Sequence, residues 1–185
     1  GGVKQELERF LRNAHIFARL VEQVLEEGYL AQSAGTKLTF GQLNILKFLA
    51  RPGRKLIKDV ARFLNASYAA ASKAVTRLEK KRLVKTVTWG EDGRAEVVHL
   101  TPKAQGLMKD YERVKEECLL AVIRGEDIEF IARGLEQGIG LLLRERAVAG
   151  NPCLGCGVYY SPTCAARLFG KNCPITEEAE VAARK

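Results

Sequence analysis

Histidine is nearly absent from the chain. His15 and His99 are the only two, and both read as packed or surface side chains rather than ligands. Neither joins an acid/base pair or a nucleophile constellation, and no glycine-rich phosphate loop is present, so the chain is expected not to be an enzyme. No apolar run approaches the roughly 20 residues that span a bilayer. The opening residues, GGVKQELERF, carry acids and lack an apolar signal core, which leads to the expectation of a non-secreted, cytoplasmic protein. Internal repeats and low-complexity segments are also missing. What remains is an ordinary globular composition, 46% apolar and 28% charged over 185 residues, enough for one good-sized domain and an appendage.

Charge is present in excess, and its location says more than its size. The net charge is +8. Residues 51–94 hold 12 Lys/Arg against 4 Asp/Glu, and the remainder holds 18 of each, so the whole excess falls in one stretch. Duplex DNA carries a charge every ~1.7 Å of axis and is a natural partner for such a module. A merely solubilising surface does not account for the concentration in one segment.

Apolar periodicity divides the chain into elements. Leu7, Phe10, Leu11, Ala14, Phe17, Leu20, Val21, Val24 and Leu25 predict an amphipathic helix from residue 3 to about 30, ended by Gly28 and QSAGTK. Thr39 caps a second helix with Leu43, Ile45, Leu46, Phe48 and Leu49 inward, broken by Arg51-Pro52-Gly53. LIKDVARFLN is a short helix with Ile57, Val60, Ala61 and Leu64 inward, and another helix runs from Ser67 to about Arg82. Two short helices joined by a tight turn are the helix-turn-helix pattern. VKTVTW and AEVVHL then alternate as strands around the turn GEDGR, which makes a hairpin wing. Thr101 and Pro102 open a helix to about Arg124, and Glu126 to about Val148 forms the last one, with Ile128, Ile131, Leu135, Ile139 and Leu142 on its apolar face. Gly134 and Gly138 lie four apart on that helix and suit either close helix approach or simple tolerance of glycine. The fold class is therefore mainly α with a small β-hairpin wing: a winged helix-turn-helix plus long dimerisation helices.

Three stretches in this order carry a resemblance. SYAAASKAVTRLEKKRLV resembles the recognition helix and wing entry of the MarR (multiple antibiotic resistance regulator) family, Asp92-Gly93-Arg94 its wing tip, and LTPKAQGLM the segment opening the helix after the wing. With the order of helices and hairpin, the resemblance runs from about residue 5 to 148. One departure is Arg82, where the family usually has glycine at a position that often needs a left-handed backbone. The resemblance implies a DNA-binding transcriptional regulator, of the repressor kind, acting as a homodimer on a palindromic operator in double-stranded DNA. By helical geometry Ala71, Val75 and Leu78 face inward, while Ser72, Lys73, Thr76, Arg77 and Lys80 face out. Ser67, Tyr68, Ser72, Lys73, Thr76 and Arg77 are the candidate groove or phosphate contacts; Arg94 is the candidate minor-groove residue, with Asp92 positioning it. Lys80, Lys81 and Arg82 read equally as a solvated helix end. Trp89 is expected to pack rather than stack on bases.

Five cysteines complete the inventory. Cys118 stands alone within a helix, where a packed side chain and an oxidant sensor are the two readings. Cys153, Cys156, Cys164 and Cys173 are spaced C-x2-C-x7-C-x8-C. Four thiolates without a nearby histidine suit an iron-sulfur cluster or tetrahedral zinc. A single C-x2-C knuckle, a final Cys-Pro and flanking apolar residues favour a [4Fe-4S] cluster; Zn2+ and thiol-disulfide chemistry are the alternatives. The expected organisation is an N-terminal dimerisation helix (1–36), a winged helix-turn-helix domain (37–101), dimerisation helices (102–149) and a cysteine-rich tail (150–185). Function is expected to be DNA binding tuned by the cluster in response to redox, oxygen, nitric oxide or iron. The alternatives are a regulator with a structural zinc site and a small-molecule pocket between its lobes, or an iron-sulfur enzyme or electron carrier on a winged-helix scaffold.

Overall fold

The structure, a computed structural model, describes residues 2–34, 37–89, 95–123, 125–144, 156 and 164–168. Helix α1 (Gly2–Leu20) does not stop at Gly28 as its sequence suggests. It continues through a π-helical stretch, Val21–Gly28, into α2 (Tyr29–Ala34). Gly28 permits this wider turn instead of breaking the helix, since a Cβ there would lie 3.1 Å from the Gln23 carbonyl oxygen. Leu30, two residues later, is buried in the core.

Next come α3 (Phe40–Leu49), α4 (Ile57–Phe63) and α5 (Tyr68–Lys80). Thr39 caps α3 in a reciprocal box: its hydroxyl accepts from the Gln42 N–H, and the Gln42 side chain accepts from the Thr39 N–H. Asp59 holds the start of α4 by accepting from the Leu56 N–H at 2.7 Å. Leu43, Ile45, Leu46, Phe48 and Leu49 are all buried, as their spacing predicts. On α4 the buried set is Ile57, Val60, Ala61 and Phe63, while Leu64 only packs against the edge of the core. Phe63 takes the inward place because its ring stacks on Phe48, with centroids 4.5 Å apart.

Strands β1 (Val84–Trp89) and β2 (Ala95–Leu100) pair antiparallel from Val84↔Leu100 to Trp89↔Ala95. A bridge between Leu56 and Val97 adds a short third rung that alternation does not reveal, because one residue has no period. Arg82 has φ +59, the left-handed backbone expected of the family's glycine position. Helix α6 (Pro102–Val122) starts at the Thr101 cap and stops where Ile123 turns extended, two residues before its expected end. Helix α7 covers Gly125–Arg144, and α8 (Ala165–Leu168) packs on it.

The core lies among α2 to α5, the wing and the first half of α6, where Ala104, Leu107, Met108 and Tyr111 are buried. No residue of α1 is buried. The long helices are thus left with apolar faces that this single chain does not cover.

Candidate nucleic-acid interface

Helix α5 has two faces with different duties. Ala71, Val75 and Leu78 are at most 1% exposed and fasten the helix to the core. Lys73, Thr76, Arg77 and Lys80 are exposed, and Ser72 is half-buried. Ser67 caps the helix, its hydroxyl accepting from the Ala70 N–H at 3.2 Å, and Tyr68 follows with half its surface exposed. Six of the eight candidate DNA contacts thus lie along one helix with Ser72 at the edge of its outer face. The other two, Asp92 and Arg94, lie outside the described residues.

The wing is tied to this helix at both ends. The Glu79 carboxylate accepts from the Thr86 N–H at 2.9 Å and from its hydroxyl at 2.5 Å. The Tyr68 hydroxyl lies 3.4 Å from Glu96 on β2. Helix and hairpin therefore move as one body, which suits simultaneous contact with adjacent grooves. Glu79 was not among the residues singled out from sequence. It reads there as one more charge on a basic helix, and only the fold puts β1 beside it. Arg54 was missed for the same reason: its guanidinium lies 3.8 Å above the Trp89 ring. Trp89 remains half exposed, so it packs under Arg54 rather than in the core. At the helix end, Lys81 spends its ammonium on the Lys37 carbonyl oxygen at 2.6 Å, so the three basic residues there are not all free for a polyanion.

Concavities among the described residues include one in this lobe and one between two long helices. One of about 430 Å³ sits at the root of the wing, lined by Leu49, Gly53, Lys55, Val98, Gln105 and Met108 among others. Lys55 is buried there and donates to the Pro52 carbonyl oxygen at 2.9 Å. Burial pulls its pKa below the ordinary lysine value, with Asp59 opposing the shift. The other, about 650 Å³, is an apolar groove between α1 and α7, lined by Phe10, Ala14, Phe17, Ile131, Leu135 and Leu142 among others. A Cβ at Gly138 would meet the Phe10 ring at 3.3 Å, so this glycine admits a close approach, whereas Gly134 faces open space.

Of the tail cysteines, Cys156 and Cys164 are described: both are half-buried, and neither is in a disulfide. Cys164 directly precedes α8. Cys153 and Cys173 lie outside the described residues, among which no three metal-ligating side chains come together. Cys118 is half-buried and free on α6.

Residues 36–95 match the sequence profile of the MarR family. No curated protein sequence matches the chain significantly. Among solved structures, the YusO protein of Bacillus subtilis is 16% identical, with 78% of this chain and all of that one covered, at a TM-score of 0.59. FabT of Streptococcus pneumoniae in complex with DNA is 20% identical, covering 76% and 97%, at 0.56. The zinc-responsive MarR family member ZitR of Lactococcus lactis is 25% identical, covering 77% and 100%, at 0.52. The chain has the winged helix-turn-helix fold of these proteins.

Proposed function

We propose that this protein is a dimeric DNA-binding transcriptional regulator of the MarR type, whose grip on a palindromic operator is tuned by its C-terminal cysteines. One observation carries the DNA-binding reading. Helix α5 is anchored by an inner stripe at most 1% exposed and presents Lys73, Thr76 and Arg77 outward, within the segment that holds the whole positive excess of the chain. The same fold in FabT has been seen with DNA. Here Tyr68 and the α5 N-terminus read base edges, Lys73 and Arg77 contact phosphates, and Arg94 enters the minor groove with Asp92 orienting it. No helix among the described residues is long and apolar enough to cross a membrane.

The test is selection of sites from random duplex DNA, followed by affinity measurements at several salt concentrations. Affinity is expected to fall steeply with salt, and Arg94→Ala to cost about 1–3 kcal/mol. Unaltered operator binding by Arg94→Ala across the salt series removes the wing from the interface.

For the tail, the four thiolates of Cys153, Cys156, Cys164 and Cys173 are the proposed ligands of a [4Fe-4S] cluster. A histidine-free donor set suits that group, and Cys156 and Cys164 are half-buried and outside any disulfide. When bound, such a cluster supplies a group that responds to redox poise, oxygen, nitric oxide or iron supply. The chain's own part is mechanical. Ligation orders the segment around α8, which packs on α7, and so couples the cysteines to the helix that bears the uncovered apolar face. Iron and sulfide analysis of anaerobically purified protein tests the cofactor, with a Cys156→Ser/Cys164→Ser variant as control. Stoichiometric zinc without iron rejects the cluster. Operator affinity is expected to differ roughly 5- to 150-fold between cluster-loaded and cluster-free protein, and equal affinity leaves the tail a structural role only. A second reading, a small-molecule effector, is favoured by the cavity at the wing root, which joins α3, the wing and α6.

A further inference from the structure

Glu26 belongs to no stripe that the sequence singles out, yet it is the meeting point of three elements. It lies on the π-helical stretch that follows α1. Its Oε2 accepts from the Lys47 ammonium of α3 at 2.6 Å and from the Tyr111 hydroxyl of α6 at 2.6 Å. Lys47 is only 8% exposed and Tyr111 is fully buried. The Lys47 ammonium also lies 5.3 Å from the Tyr111 ring centroid, and that of Lys115 lies 4.8 Å from it. Burial, then the carboxylate of Glu26, hold the phenol far above its ordinary pKa, so Tyr111 is a neutral donor at any physiological pH.

The bland account is that these groups simply add stability. Energetics argue against it. A buried ion pair repays its desolvation poorly and is often matched or bettered by apolar packing of the same volume. What such a pair supplies is direction. One carboxylate oxygen takes two short bonds from two different helices, and a slip of about 1 Å in either carries that bond beyond hydrogen-bond range. Apolar neighbours tolerate such a slip with far less loss. The local backbone points the same way: the wide turn is what puts Glu26 over α3 and α6, and Gly28 is what allows it, since a Cβ there would crowd the Gln23 carbonyl oxygen at 3.1 Å. π-Helical stretches concentrate at functional positions.

We infer that Glu26 is a positioning residue: held by the π-helical turn, it sets the angle between the long helices and the DNA-reading lobe through Lys47 and Tyr111, and thereby the separation of the two recognition helices in the dimer. Lys47 sits in the last turn of α3, the first helix of that lobe, while Tyr111 marks the point on α6 beyond which no residue is buried. The three side chains thus bind the lobe to the two elements that leave it. The inference rests on the proposed reading as a dimeric DNA-binding regulator.

The experiment uses the full chain and three variants: Glu26→Gln, which keeps the shape and removes the charge, Tyr111→Phe, and Gly28→Ala, which disturbs the turn without touching the trio. Circular dichroism first establishes that each is folded. One arm needs no DNA. A nitroxide on a ketone-bearing residue introduced at Tyr68, exposed on α5, reports the distance between the two recognition helices of the dimer. A single narrow distance is expected for the parent protein and a shifted or broadened one for Glu26→Gln and Gly28→Ala. The second arm measures binding to the selected operator with base pairs inserted or removed between its half-sites, beside a lone half-site. Glu26→Gln is expected to bind the half-site normally, to lose about tenfold on the full operator, and to accept spacings that the parent rejects. An unchanged distance distribution in folded variants overturns the inference, and so do half-site and full-site affinities that fall together. If the parent selects no DNA while the distance shifts in the variants, the DNA-binding reading fails and the positioning role stands.

Discussion

Arg82 shows most plainly how one residue works against its own backbone. Its φ of +59 places it in the left-handed region, at the tight turn between α5 and β1. The turn is held from outside: the Thr101 hydroxyl donates to the Arg82 carbonyl oxygen at 2.9 Å, and the Thr101 N–H to that of Leu83 at 3.0 Å. A non-glycine residue in this region costs about 1–2 kcal/mol, part of which glycine gives back by freeing the unfolded chain. Arg82→Gly is therefore expected to stabilise the fold by about 0.5–1 kcal/mol and to raise Tm by about 1–4 °C. A lowered Tm in a calorimetric scan means that this turn is not left-handed. The need for this conformation was legible in the sequence from the resemblance alone. The bonds that enforce it were not, because Thr101 is 19 residues away and reads only as a helix cap.

Among elements, α6 is joined to the π-helical stretch through a phenol whose pKa is raised, and that has a pH consequence. A proton held more tightly in the folded state stabilises fully below the unfolded phenol's pKa of about 10, and that contribution is lost as pH rises above it. Stability is expected to fall with pH above about 10, and Tyr111→Phe to flatten that slope relative to the parent. Parallel slopes in alkaline denaturation series remove Tyr111 from the account. Lys47, Lys115 and Glu26 face the same ring, so the difference between the two proteins is the informative quantity. Element identity was largely readable, since Leu43, Leu46, Val75 and Leu78 recur at helical spacing and are all buried. What failed was the fate of Gly28, because glycine marks helix ends and widened turns alike. Sequence alone also missed Phe63, which outcompetes Leu64 for the core by stacking on Phe48.

On the scale of the whole molecule, the long helices leave many apolar side chains exposed on the single chain. Phe130 is 81% exposed, and Leu7, Leu11, Ile131 and Leu142 are exposed as well. Apolar area of this extent on two long helices is what a two-fold interface buries. Leu135→Glu with Ile139→Glu is expected to give a monomer in sizing at micromolar concentration and to abolish tight operator binding while the winged lobe stays folded. A double variant that elutes with the parent dimer moves the interface away from α7. Helix α7, which lines the groove with α1, is also the helix on which α8 packs just after Cys164. The segment 51–94, which carries the charge excess, also holds the single tryptophan of the chain. Trp89 lies on the wing, half exposed, under the Arg54 guanidinium. Its emission is therefore a built-in optical gauge of one hairpin: excitation at the red edge of the indole band, where tyrosine is dark, reads the wing and nothing else in the protein.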